Sequence, residues 1–153
     1  MGVFNYYGLI IIILILIPNI LFAIFNKNGF DNLYKNKVVE ILEQIGRLGC
    51  FILMIVNIPH TYFGFWFKNA ELFYIITNAV LVVAYCLIWG ICFKKNSIFM
   101  ALMLSILPSL LFLFSGIMIV NIPLIISSLI FSPTHILISF KNSKESNKKQ
   151  KNF

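Results

Sequence analysis

Long apolar runs separated by short polar connections cover most of the chain. Each run holds about 20 residues, which is the length that an α-helix needs to cross the hydrocarbon core of a bilayer. The stretch between Ser97 and Phe140 carries no charge and is too long for one crossing, so it predicts two crossings joined by a tight turn. The pattern predicts five transmembrane helices, over residues 8–25, 48–67, 72–93, 98–120 and 122–140. We therefore expect an all-α fold, an integral membrane helix bundle that forms one domain over residues 1–140.

A charged amphipathic helix precedes the second predicted crossing. Polar side chains recur there at intervals of three and four residues, so they share one face of a helix, and apolar side chains cover most of the remainder. The sequence predicts a helix on the cytoplasmic side. It leaves open whether that helix lies on the membrane surface or continues into the second crossing. The polar face consists of Glu40, Glu43, Arg47, Cys50 and Asn57.

The composition excludes an ordinary soluble globule. Apolar residues make up 60% and charged residues 11% of the chain, whereas about 25% charged is typical of soluble domains. The net charge of +7 comes from basic residues that flank apolar runs, and such residues bind anionic lipid headgroups. We therefore expect membrane lipids as partners rather than nucleic acid. Residues 141–153 are polar and rich in lysine, which predicts a disordered basic tail in contact with those headgroups.

The distribution of lysine and arginine predicts the orientation of the chain. With five crossings and the N-terminus outside, every basic residue except Lys68 faces the cytoplasm. If residues 98–140 formed a single re-entrant element, the basic residues would instead divide evenly between the two sides. We expect a protein integral to a bacterial plasma membrane, with a cytoplasmic C-terminus. The abundance of isoleucine, asparagine, lysine and phenylalanine is typical of an AT-rich genome.

The polar face before the second crossing is the first candidate site. Ionisable groups that face the interior of a membrane bundle are costly and are usually functional, so this face would form the wall of a binding site or a conduction path. The alternative is a surface-lying helix whose charges face the cytoplasm. The spacing of Glu43 and Arg47 allows an i,i+4 ion pair in either case. We favour the surface-lying helix.

A second candidate cluster lies toward the outer side of the membrane. Asn57 and Asn121 each stand two residues before a proline, and helices broken in this way expose carbonyl groups that coordinate substrates or ions in transporters. The alternative is that the asparagines satisfy backbone groups freed at kinks and turns. We favour this structural role, although the cluster is the better of the two binding-site hypotheses. Its members are Asn57, His60, Asn78 and Asn121.

A metal site is a further hypothesis. Cys50, Cys92 and His135 would all lie toward the inner leaflet, and thiolate with imidazole is a ligand set for zinc or copper. Each of these residues stands alone on its predicted helix, without the close spacing that fixes ligand geometry. The sequence therefore predicts no metal site, no catalytic residue and no cofactor.

Two short segments resemble motifs of CAAX-type membrane proteases. The segment from Glu43 to Arg47 is similar to the E-E-x-x-x-R motif, and Phe131 with His135 is similar to F-x-x-x-H. The first segment departs from the family, because Gln44 replaces the second glutamate and the interval to Arg47 is one residue short. The resemblance covers only these two segments, and it would imply an intramembrane hydrolase.

The small number of acidic residues and histidines leaves little for acid–base chemistry. We expect a small multi-pass, non-enzymatic membrane component: a partner subunit, an immunity-type protein or a small binding or permeation unit. Besides lipid, its candidate partners are another membrane protein or a second copy of the chain, as a homo-oligomer. The alternative function is a membrane-embedded enzyme or transporter that uses Glu40, Glu43 and Arg47.

Overall fold

The computed structural model describes residues 2–25, 32–92 and 97–151, and most of these residues are in α-helices. Four of the helices, α1, α3, α4 and α5, are long and apolar enough to cross a membrane. The predicted all-α class is therefore confirmed, and the apolar helices indicate membrane insertion. The helices are α1 (Tyr6–Phe25), α2 (Lys37–Ile55), α3 (Ala70–Cys92), α4 (Ile98–Met118) and α5 (Ile122–Lys151).

Helices α1 and α3 lie side by side and run in the same direction. Near their N-terminal ends, the hydroxyl of Tyr7 donates a hydrogen bond of 3.1 Å to Glu71. Further along, the hydroxyl of Tyr85 donates to Oδ1 of Asn19 at 2.9 Å. Since both contacts join residues at matching positions along the two helices, the helices are parallel.

Helix α2 runs antiparallel to its neighbours α1 and α5. Its C-terminal end lies beside the N-terminal end of α1, where the amide of Asn5 donates to the carbonyl of Ile55 at 2.7 Å. The close approach requires Gly8, because a Cβ atom there would overlap the carbonyl oxygen of Met54. Successive contacts between α2 and α5 lie along one face of α2 from Glu43 to Cys50.

Helix α4 is the most buried of the apolar helices and lies antiparallel to both α3 and α5. The ring of Phe112, which is fully buried, packs 5.8 Å from Phe51 on α2 and 5.7 Å from Phe131 on α5. Many of the apolar side chains that face away from the bundle are exposed. A helix bundle with an apolar exterior is suited to a lipid environment, where hydrocarbon covers that surface.

The second helix differs from the predicted layout. It begins at Lys37, ends at Ile55 and is continuous through Leu48, so the charged segment and residues 48–55 form one helix, which is one of the two arrangements that the sequence left open. Its charged residues exclude it from the four apolar helices. Pro59 disfavours helical backbone at the preceding residue, and Val56 is already extended. Residues 56–69 therefore form an irregular connection rather than the end of a helix over residues 48–67.

The C-terminal segment also differs from expectation, because α5 remains helical through Lys151 instead of becoming disordered after Phe140. Contacts with the segment before α2 stabilise this extension. Oδ1 of Asn142 accepts hydrogen bonds from the amides of Leu33 and Tyr34, at 3.0 and 2.7 Å. Of the basic residues used in the orientation argument, Lys27, Lys94 and Lys95 lie outside the described residues.

Candidate functional site

The carboxylate of Glu43 is buried between α2 and α5, with only 4% of the side chain exposed. Arg47, one turn later on α2, donates hydrogen bonds from Nε to Oε1 at 3.1 Å and from Nη2 to Oε2. On α5, Nδ1 of His135 lies 2.9 Å from Oε1 of the same carboxylate. Both oxygens are thus engaged by nitrogen donors, and charge-assisted hydrogen bonds of this kind are the strong ones. We call Glu43, Arg47 and His135 the ionisable cluster.

Small residues allow α2 and α5 to approach closely around the ionisable cluster. A Cβ atom on Gly46 would lie 2.8 Å from the backbone nitrogen of Phe131. One on Gly49 would lie 2.6 Å from Oγ of Ser127. Membrane helices commonly use small residues in this way, because packing between backbones replaces the hydrophobic driving force that lipid does not supply. The polar face of α2 therefore includes its contact surface with α5.

The two nitrogen donors in the ionisable cluster are less buried than the carboxylate. The side chain of Arg47 is 38% exposed and that of His135 is 26% exposed. The imidazole ring of His135 stacks on Phe131 with ring centroids 4.6 Å apart and an interplanar angle of 20°. Phe131 thereby fixes the orientation of the ring that contacts Glu43.

The other members of the predicted polar face lie away from the ionisable cluster. Cys50 is fully buried, and its Sγ lies 3.7 Å from Oγ of Ser128 on α5. Glu40 accepts a hydrogen bond of 3.0 Å from Asn32, in the segment before α2. Asn57 lies beyond the opposite end of the helix. The face therefore contributes to several local contacts and does not line a single site.

The residues of the predicted outer cluster lie in three separate places. Nδ2 of Asn121 donates to Oδ1 of Asn57 at 3.2 Å, and both side chains are fully buried. Asn78 instead accepts a hydrogen bond of 3.1 Å from Ser115 on α4. His60 is exposed on the irregular connection and has a positive φ of 66°.

Asn5, which the sequence pattern did not single out, lies at the same end of the bundle as Asn57 and Asn121. Its side chain is 1% exposed, and Oδ1 accepts a hydrogen bond of 3.1 Å from the amide of Gly8. Asn5 stands directly before α1, where asparagine is a preferred N-cap. Its position before the first apolar run could therefore have predicted this capping role. Nδ2 of Asn57 donates to the carbonyl of Gly2 at 3.1 Å, which ties the N-terminal segment to the same end of the bundle.

The residues considered as metal ligands do not form one group in the described part of the chain. Cys50 contacts Ser128, whereas His135 contacts Glu43. The side chain of Cys92 lies outside the described residues.

The structure holds a carboxylate, a guanidinium and an imidazole together between α2 and α5. Asn57 and Asn121 meet beyond the C-terminal end of α2, away from this cluster. Comparison of the chain with protein-family models, with curated proteins and with solved structures found no match.

Proposed function

We propose that this protein is a small five-span integral membrane component that acts through assembly rather than catalysis, with its N-terminus outside and its C-terminus in the cytoplasm. The observation that carries the proposal is that both oxygens of Glu43 are engaged: each accepts a hydrogen bond from Arg47, and Oε1 also contacts His135. A carboxylate held in this way joins α2 to α5. This geometry suits a structural role, and we call the contact of Glu43 with Arg47 and His135 the clamp.

Five spans are supported by the directions of the helices. Because α1 and α3 are parallel neighbours, the chain between them has to return across the thickness of the bundle. Helix α2 provides that return, and its 19 residues rise about 28 Å, close to the hydrocarbon thickness of a bilayer. This layout also keeps the basic residues of the α5 extension on the cytoplasmic side, where they would contact anionic headgroups.

Labelling of single cysteines tests the layout. In a background with Cys50, Cys86 and Cys92 replaced by alanine, we expect Lys68→Cys to react with an impermeant maleimide added outside intact cells. Lys144→Cys should react only after the membrane is opened. Reaction of both positions from the same side would overturn the five-span layout.

Substitution of the clamp tests the function. Glu43→Gln should lower the amount of folded protein in the membrane, because the amide cannot pair with the positive charge of Arg47. The matched control is Glu145→Gln, which alters an exposed glutamate paired with Lys148 at 3.5 Å and should leave the folded amount unchanged. Full accumulation of the Glu43 variant with loss of a measurable turnover would contradict the proposal.

An intramembrane hydrolase is a second candidate, favoured by one specific observation. The two segments that resemble CAAX-type protease motifs are far apart in sequence, yet Glu43 of the first contacts His135 of the second while it also pairs with Arg47. Aligned on Arg47, Glu43 takes the position of the second glutamate of that motif, and Leu42 stands where the first would be. Incubation of the purified protein with quenched fluorescent peptides ending in C-a-a-X tests this candidate. Cleavage that Glu43→Gln abolishes would support it.

A further inference from the structure

Two polar side chains on α2 remain incompletely satisfied within the described part of the chain. Arg47 uses Nε and one N–H of Nη2 for Glu43, which leaves three of the five donors of a guanidinium. Gln44 is exposed and has no hydrogen bond to another described residue. Since the two residues are three positions apart, they lie next to each other on the helix surface.

Both groups lie at a depth where the neighbouring helix carries no lysine, arginine, aspartate or glutamate. Glu43 contacts His135, which stands five residues before the end of the uncharged stretch of α5 at Phe140. That interval corresponds to about 8 Å along a helix, and the antiparallel course of α2 places Gln44 and Arg47 deeper still. Unpaired polar groups in hydrocarbon are costly, so an occupant with matching donors and acceptors is required.

We propose that the occupant is a second copy of this chain, which packs its own α2 against this face around a two-fold axis along the membrane normal. The symmetry places Gln44 of each copy at the same depth, opposite the Gln44 and Arg47 side chains of the other. The amide oxygen of Gln44 accepts from the spare N–H groups of Arg47 in the other copy, and the contact is repeated by symmetry.

The complementarity favours a second copy over a lipid headgroup. Gln44 supplies a neutral acceptor for up to two of the spare N–H groups of Arg47, and both residues come from the same helix, so the contact needs no further component. The side chains that flank this face, Ile41 and Leu48, are exposed and apolar, which suits packing of one helix against another. The inference rests on the five-span layout of the proposed function and names the partner in its assembly.

The oligomeric state of the full chain tests the interface. We expect the protein, reconstituted in phosphatidylcholine nanodiscs and counted by single-molecule photobleaching, to be a dimer. Gln44→Leu should raise the dissociation constant about tenfold, from the loss of two interhelical hydrogen bonds. The matched control is Ile45→Leu, the next exposed position and 100° further round the helix, which should leave the dimer intact.

Cross-linking provides a second measurement that does not depend on removing Gln44. In the background without native cysteines, Leu48→Cys should form an intermolecular disulfide on oxidation. Leu72→Cys, an exposed position on α3, should not. A monomer that gives no Leu48 disulfide would overturn the interface while leaving the clamp role of Glu43 standing. Peptide cleavage dependent on Glu43 would instead overturn the proposed function and leave a dimer unaffected.

Discussion

Nδ1 of His135 and Oε1 of Glu43 lie 2.9 Å apart although the two residues are 92 positions apart in the sequence. The contact joins α2 to α5, and Gly46–Phe131 and Cys50–Ser128 follow it along the same interface. Since Arg47 engages the same carboxylate from within α2, the energies of the three side chains should be coupled.

A double-mutant cycle measures the coupling between Glu43 and His135. We expect Glu43→Gln and His135→Leu together to destabilise the protein less than the sum of the single changes, by about 1 kcal/mol, since each substitution removes the same interaction. The free energy of unfolding in mixed detergent micelles is the quantity to measure. Additive effects would show that the contact contributes nothing to stability.

A methyl group at Gly46 should force α2 and α5 apart. The added Cβ would come within 2.8 Å of the backbone of Phe131, and overpacking of this kind costs about 1 to 3 kcal/mol. Gly46→Ala should therefore lower the unfolding temperature in detergent. Gly90→Ala is the matched control, since nothing lies within 4 Å of a Cβ at Gly90 and alanine favours helix. An equal fall of the unfolding temperature in both variants would contradict the close approach of α2 and α5.

Replacement of Asn121 should weaken the end of the bundle where α5 begins. Its side chain donates to Asn57 and accepts from the amide of Leu124 at 3.1 Å, at the start of α5. Asn121→Ala removes both contacts, and we expect a loss of about 1 to 3 kcal/mol in the free energy of unfolding. Asn121→Ser keeps the capping oxygen and should recover part of that loss, so equal stability of the two variants would argue against the cap.

Hydrogen exchange can detect the contact between the α5 extension and the segment before α2. In Asn142→Ala, the amides of Leu33 and Tyr34 lose their acceptor, and we expect both to exchange at least about tenfold faster, because exchange reports local opening. Lys141→Ala, a change at the adjacent exposed position, should leave these amides protected. Unchanged exchange in the Asn142 variant would show that other contacts protect the segment.

The boundaries of the apolar helices were largely predictable, since length and hydropathy alone define them. The end of α2 at Ile55 was not predictable. The connection that follows includes aromatic residues such as Phe63 and Trp66, so its hydropathy is similar to that of a membrane helix. The helical extension past Phe140 was not predicted, because its residues are polar rather than apolar. Its composition indicates disorder, and only its contact through Asn142 reveals why it is ordered.

The polar face was predictable from its spacing, but its contacts were not. Helical periodicity placed Glu43 and Arg47 on one face, whereas the contact with His135 depends on the register between α2 and α5. No local signal in either helix specifies that register. The meeting of Asn57 and Asn121 is similar: the sequence placed both toward one side, and the turn before α5 brings them together. Their use as a binding site stays a prediction.

The pairing of Glu43 with a residue on its own helix has a consequence for biosynthesis. When the ribosome has just finished α2, the codon for His135 is still to be translated, and at about 5 to 20 residues per second the delay is roughly 4 to 16 seconds. During that interval Arg47 is the neighbour that can neutralise the glutamate. In the proposed five-span layout, α2 would therefore enter the lipid with Glu43 already paired to Arg47, before α5 is made.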